Sequence, residues 1–296
     1  MRPPFDEHEG GTVQEMHLRT GVTVGVSRTG SGPAVLLLGG LGMPSIVWEI
    51  SGLTNRLVAA GFEVIAHAAR GIPPASAPPA PYSVDDLAGD VAALLDELDL
   101  TSNITVVGYS LGAFTAQVLL QERPDNFRAA VFIAGLNPSP LVEIVDNMEL
   151  DLIEATGSLP TSVSTFELLM TTLPSAALQD HAAVPGWHTI FADDTNRWTG
   201  AEGMKGQLTA SRDWTRNKQS HLDRLSRIGI PALSIAFEHD LFFPPAGERE
   251  AAGRIPDCEY ILIPQAAHGG LSTHGAEPVK RIVEFCSEVK KRHAAG

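Results

Sequence analysis

The pentapeptide Gly108-Tyr109-Ser110-Leu111-Gly112 holds one serine between two glycines. It stands where the β-branched run ITVVG (104–108) gives way to a helical pattern over 111–123, which ends before Pro124. A strand that turns into a helix this abruptly forces its middle residue into a strained backbone conformation, and the flanking positions must lack side chains that would collide. Gly108 and Gly112 meet that need, and Ala113 and Ala116 let the helix lie close to a sheet. The Ser110 hydroxyl is then held above the carboxyl edge of the sheet, at a helix N-terminus. Its chemistry would be that of a nucleophilic alcohol, which near neutral pH needs a base within hydrogen-bond reach. The competing interpretation is a tight turn whose serine caps the helix.

The elements that must position this serine follow from hydrophobic periodicity. The alternating segments VQEMHLRT and VTVGVSRTG, joined through Gly21, predict an antiparallel hairpin. AVLLL (34–38), FEVIAH (62–67), ITVVG (104–108), AAVFIAG (129–135), PALSIAF (231–237) and EYILI (259–263) are short and nearly continuously apolar, as strands buried on both faces should be. Helical patterns lie over 46–60, 83–100, 111–123 and 276–292. In 83–100, Ser83 is the expected N-cap with Asp86 at the third helical position, and Leu87, Val91, Leu94, Leu95 and Leu98 form one apolar stripe. Strand–helix alternation of this kind implies a mostly parallel sheet with helices on both faces. The alternation stops between 137 and 227, where LVEIVDNMELDLIEA, STFELLMTTL and WHTIFADDTNRW suggest short helices and no strand.

In this context the serine turn resembles the nucleophile turn of the α/β-hydrolase superfamily, a G-x-S-x-G motif between strand and helix. The resemblance covers nearly the whole chain apart from 137–227. It implies an α/β fold with an eight-stranded, mostly parallel sheet flanked by helices, a core of residues 1–136 and 228–296, and a helical cap or lid inserted at 137–227. It also implies the catalytic order Ser, acid, His. The base is expected after the last strand, where EYILIPQAAHGG supplies His268, with His274 six residues on as the nearest competitor. The acid is expected after the preceding strand, where PALSIAFEHDLFFPP supplies Glu238 and Asp240, and Asp240 matches by its place before a proline. One strand earlier only Asn137 is offered, which cannot carry the charge. Two backbone amides are implied for the oxyanion, those of Leu111 and Leu41, the latter in Gly39-Gly40-Leu41-Gly42.

The chain departs from the family pattern at several points. Gly39 stands where a histidine is usual, which removes a side chain that braces the loop, and Ala267 replaces a frequent glycine before His268. AHAARGIPPAS keeps only Arg70, Gly71 and Ser76 of the segment Asp-x-Arg-Gly-x-Gly-x-Ser; Arg70 is expected to brace loops and His67 to be buried packing. The run Glu238-His239-Asp240 lacks further ligands at metal spacing.

Composition limits the partners. Of the 296 residues, 21 are basic and 35 acidic, a net charge of −14 that disfavours nucleic acid and anionic membrane surfaces. MRPPFDEHEGG has no apolar run, and no stretch approaches the ~18 apolar residues of a spanning helix, so a soluble cytoplasmic protein is expected. Cys258 and Cys286 are expected to be reduced packing residues. Leu152, Ile153, Phe166, Leu169, Met170, Trp187, Phe191, Trp198 and Trp214 give the insertion apolar surface, most of it for its own small core and the remainder for a pocket. The expected activity is serine hydrolysis of a carboxylic ester, thioester or lactone of a small, apolar substrate, with no metal or organic cofactor required. Two alternatives remain open. The same triad could serve perhydrolysis (the so-called non-haem haloperoxidases), C–C bond hydrolysis, acyl transfer or cyclisation, or the scaffold could bind a ligand without turnover.

Overall fold

The computed structural model describes residues 13–193 and 197–294. The segment MRPPFDEHEGG and part of WHTIFADDTNRW lie outside the described residues. Eight strands form one sheet: β1 (Gln14–His17), β2 (Thr23–Gly30), β3 (Ala34–Leu38), β4 (Glu63–His67), β5 (Ile104–Tyr109), β6 (Phe127–Ile133), β7 (Ala232–Phe237) and β8 (Cys258–Ile263). Their order across the sheet is β1-β2-β4-β3-β5-β6-β7-β8. β1 and β2 form the expected antiparallel hairpin, closed by the Leu18 N–H donating to the Val22 carbonyl at 2.8 Å. β2 joins β4 antiparallel, and every pairing from β4 to β8 is parallel. The carboxyl ends of β3, β5, β7 and β8 therefore open on the same edge, and the loops leaving them can meet.

The central strands are apolar along their length because helices cover both faces. β3, β5, β6 and β7 are buried at every position. β8 departs from the expectation of burial on both faces. It is the edge strand, only Ile263 in it is fully buried, and Leu262 is exposed. The pattern at 83–100 folds as the helix Val84–Glu97. The Ser83 hydroxyl accepts from the Asp86 N–H at 3.1 Å and the Asp86 carboxylate accepts from the Ser83 N–H at 2.8 Å, a reciprocal cap on two otherwise unpaired donors. The pattern at 46–60 is instead two short helices, Ile46–Ile50 and Leu53–Ala59, parted at Gly52, whose φ of +78° ends the first turn.

Between β6 and β7 the described residues form helices and no strand: Pro140–Thr156, Thr161–Thr172, Ser175–Gln179, Val184–Ala192, Gly200–Arg216 and Lys218–Leu222. Ile153, Leu159, Met204 and Leu208 make a small second core there, onto which Leu152, Trp198 and, from the loop after β3, Leu41 pack. Trp214, expected in that small core, belongs to the main one and stacks on Phe114 at 5.3 Å between ring centroids. Phe166 and Met170 are exposed. Both cysteines are free thiols, Cys286 buried and Cys258 partly so. Among the described residues no helix is long and apolar enough to cross a membrane.

Candidate functional site

Ser110 follows β5 directly and precedes the helix Leu111–Glu122. Its φ of 53° and ψ of −119° are strained for a residue with a side chain, and the strain is held by pairing: its N–H donates to the Ile133 carbonyl at 2.9 Å. Its side chain does not cap the helix, which sets aside the simple capping role. The turn closes this tightly because Gly112 lies against the end of β3. A Cβ at position 112 would come 2.1 Å from the Leu38 carbonyl oxygen, a contact that no side chain can make.

His268 follows β8, and its Nε2 lies 3.2 Å from Ser110 Oγ. Its Nδ1 lies 2.8 Å from Asp240 Oδ2. Asp240 follows β7 with its side chain wholly buried, and its second oxygen accepts the Phe242 and Phe243 N–H groups at 2.9 Å each. With both oxygens committed, the carboxylate fixes the imidazole by geometry as well as charge. The ring is held between aromatic neighbours. Tyr109 and Phe243 stack on it at 5.4 and 5.5 Å, Phe242 meets it edge-on, and the Tyr109 hydroxyl donates to the His268 carbonyl.

The competing residues stand elsewhere. His274 Nδ1 is paired with Thr273 Oγ1 at 2.9 Å. Glu238 is exposed and accepts the Gln265 N–H at 2.8 Å, tying the turn after β8. The Asn137 amide donates to the Gly247 carbonyl. His67 is buried, and burial pulls its imidazole down to about 4. Arg70 makes a two-pronged pair with Asp90 at 2.6 and 2.7 Å, buried, and so braces the loop after β4. Among the described residues no group of three or more His, Cys, Asp or Glu side chains is placed to hold a metal ion.

The loop after β3 runs beside the serine. A Cβ at Gly40 would lie 3.2 Å from Ser110 Cβ and 3.8 Å from its Oγ, so Leu41, the next residue, carries its N–H on the backbone adjoining the hydroxyl. Leu111 supplies the first N–H of the helix after Ser110. Neither N–H donates to another described residue. A partial positive charge at this helix end, together with two such donors, suits a developing oxyanion.

Three polar residues near the site carry no motif of their own. Gln207, fully buried on the helix Gly200–Arg216, accepts the Gly42 N–H at 3.0 Å and donates to the Arg70 carbonyl at 2.9 Å. Glu248, also fully buried, accepts the N–H groups of Gly135, Leu136 and Asn137 at 3.3, 2.9 and 2.7 Å, fixing the loop behind Ser110. Burial pushes its carboxyl up to about 7 against the pull of those amides. Glu167, on the helix Thr161–Thr172, is raised by burial and interacts electrostatically with His268, Arg197 and Glu149. For His268 itself, burial disfavours the charged ring. The charge and hydrogen bond of Asp240, helped by Glu167 and Glu248, outweigh that and hold it above the ordinary histidine value.

The chain is 28% identical over 262 residues to a protein of Mycobacterium tuberculosis named "Putative non-heme bromoperoxidase BpoC", a match spanning 88% of this chain and 96% of that one. It is 25% identical over 242 residues to "Putative carbamate hydrolase RutD" of Caulobacter segnis, spanning 79% and 84%. The crystal structure of the enol-lactonase from Burkholderia xenovorans superposes with a TM-score of 0.77 over 92% of this chain and 99% of that one, at 21% identity, a likeness of fold. A sequence model of the α/β-hydrolase fold matches residues 33–274, from just before β3 to beyond His268, and the chain belongs to that family.

Proposed function

We propose that the protein is a serine hydrolase that cleaves a carboxylic ester, thioester or lactone of a small, mainly apolar molecule through an acyl-enzyme. The carrying observation is the line of contacts from Asp240 Oδ2 through His268 to Ser110 Oγ, at 2.8 and 3.2 Å. Ser110 Oγ attacks the substrate carbonyl carbon while His268 Nε2 takes its proton. The carbonyl oxygen becomes the oxyanion, held by the Leu41 and Leu111 amides. As the intermediate collapses, the imidazolium gives its proton to the departing alcohol or thiol. Water then attacks the acyl-serine, losing a proton to His268, and that proton returns to Ser110 as the carboxylic acid leaves. Residues 137–227 act as a cap over this site. Supporting that role, Thr171 and Thr172 accept the N–H groups of His268 and Gly269 at 3.3 and 3.0 Å, and Leu41 packs on the insertion's small core.

A p-nitrophenyl ester of a short acid and a fluorophosphonate probe test the proposal. Wild type should turn over the ester and be labelled once, and Ser110→Ala should lose labelling and turn over on the order of 10⁶ more slowly. Equal behaviour of the two proteins would leave a ligand-binding role on this scaffold.

The 28% identity to a relative named a bromoperoxidase favours one second reading, perhydrolysis by the same residues. Here hydrogen peroxide replaces water on the acyl-serine, so that the products are a peroxyacid and free Ser110. The peroxyacid then oxidises bromide to hypobromous acid and is reduced to the carboxylic acid. Peroxide-dependent bromination in acetate buffer that vanishes in Ser110→Ala would establish it.

A further inference from the structure

Resting on the hydrolase function just proposed, we propose that Gln207 is a positioning residue for the oxyanion loop, so that the helical insertion sets the rate of chemistry as well as covering the site. The loop Gly39–Gly42 has no side chain of its own until Leu41 and none again at Gly42. Its Gly42 N–H is taken by Gln207 Oε1 at 3.0 Å, one residue beyond the Leu41 donor. The other end of the same amide donates to the Arg70 carbonyl at 2.9 Å, and Arg70 is itself locked on Asp90. An amide is the group for this place, because it accepts at one atom and donates at the other in a single plane. Buried completely, it is shielded from bulk solvent, so that losing either bond leaves a buried polar group short of a partner.

The helix that carries Gln207 is held by unusually close backbone contact. Gly203 lies against Gly71, where a Cβ would come 2.6 Å from the Gly71 carbonyl oxygen, and Gly206 lies against Tyr82, where a Cβ would come 2.2 Å from the ring. Thr199, just before the helix, donates its N–H to the Gly71 carbonyl at 2.8 Å and its hydroxyl to the Ala75 carbonyl at 2.8 Å. Glu202 accepts the Ala80 N–H at 2.8 Å. The Ala/Pro-rich loop after Arg70 is thus the bed on which the helix is seated. Gln207 transfers that fixed position to Gly42, and Gly42 transfers it to the Leu41 amide. A donor misplaced by about an ångström costs on the order of 10²-fold in rate, whereas substrate binding to the ground state is affected far less.

The test uses the whole protein and a p-nitrophenyl ester, with Gln207→Met, Gln207→Glu and, as a stability-matched control, Phe285→Leu in the main core on the helix Ala276–Ala294. Gln207→Met should lower kcat about 10–100-fold with KM within about threefold, while Phe285→Leu, at a comparable loss of Tm, keeps kcat within about twofold. In Gln207→Glu the acid can donate to the Arg70 carbonyl only when protonated, so its kcat relative to wild type should climb as pH falls. Should Gln207→Met fail to accumulate, Gln207→Glu carries the test. A kcat for Gln207→Met within twofold of wild type, or a Gln207→Glu to wild-type ratio that is flat with pH, overturns the proposal. Failure of the hydrolase function itself is separate, since it is read from Ser110→Ala.

Discussion

The backbone N–H of His268 donates to the Thr171 carbonyl at 3.3 Å, and that of Gly269 to the Thr172 carbonyl at 3.0 Å. The proposed base is thus fastened on one side to the sheet, through Asp240, and on the other to the end of the helix Thr161–Thr172. That contact is close because position 269 has no side chain. A Cβ there would lie 2.1 Å from Thr172 Cγ2 and 2.8 Å from its carbonyl oxygen. Gly269→Ala should push the helix end and the imidazole apart, lowering kcat about 10–100-fold while the protein remains folded. Ester turnover beside a thermal melt checks this, and an unchanged kcat would mean that the insertion does not help hold the base.

The turn at Ser110 should be less forgiving. In Gly112→Ala the new methyl meets the Leu38 carbonyl, which is backbone in the centre of the sheet and has nowhere to move. Overpacking of this kind costs roughly 1–3 kcal/mol even where side chains can shift, so a loss at or above that range is expected, with labelling by a fluorophosphonate lost in the folded fraction. Urea titration monitored by tryptophan fluorescence gives the stability.

The legible and illegible parts of the site differ in sequence separation. Ser110 is declared by its own neighbours, since a strand, two glycines and a helix are adjacent in the chain. Asp240 and His268 become legible through strand order, each standing just beyond an apolar run. Gln207 and Glu248 have no such flag. The bond from Gln207 to Gly42 spans 165 residues, and Glu248 reaches its three amides across more than 110. Both sit in helices whose sequences, GAEGMKGQL and PAGEREAA, read as solvent-facing. The glycines at 203 and 206 are the one local hint, because glycine weakens a helix and is suited to places where a neighbouring element comes close, here the Gly71 backbone and the Tyr82 ring. Trp214 is equally ambiguous in the sequence, since an aromatic in the insertion packs on whichever core its helix lies over.

The acid limb of the pH profile follows from the groups around His268. The ring must be neutral to take the Ser110 proton, and it is held above the ordinary histidine value chiefly by Asp240 against the effect of burial. Activity should therefore rise with pH and reach half its plateau above the ordinary histidine value. Asp240→Asn should cost on the order of 10⁴ in kcat by losing the imidazole's orientation and charge partner, and should move the limb to lower pH. Glu167→Gln should move it in the same direction with a smaller loss of rate. A limb that stays in place in both variants would assign the titration to another group.

Stability should carry a second pH signature, from Glu149. Burial, reinforced by the Glu167 charge and opposed by Arg197, pushes its carboxyl up to about 8, from an ordinary value of 4.5. Between those values the folded protein keeps a proton that the unfolded chain has released, so this carboxyl's contribution to stability declines as pH rises from about 4.5 to about 8 and is level beyond. Glu149→Gln presents a neutral amide at every pH. It should match wild type near the acid end of that window and exceed it by up to about 5 kcal/mol on the alkaline side, each unit of displaced titration being worth ~1.4 kcal/mol. Glu248, raised in the same sense, is present in both proteins and drops out of the difference, whereas Asp146 is raised in part by the Glu149 charge, so that its titration adds to the effect of Glu149→Gln in the same direction. Unfolding in urea at both ends of the window measures it. Parallel curves for the two proteins would mean that Glu149 is ionised in the fold, and that Arg197, not burial, governs its charge.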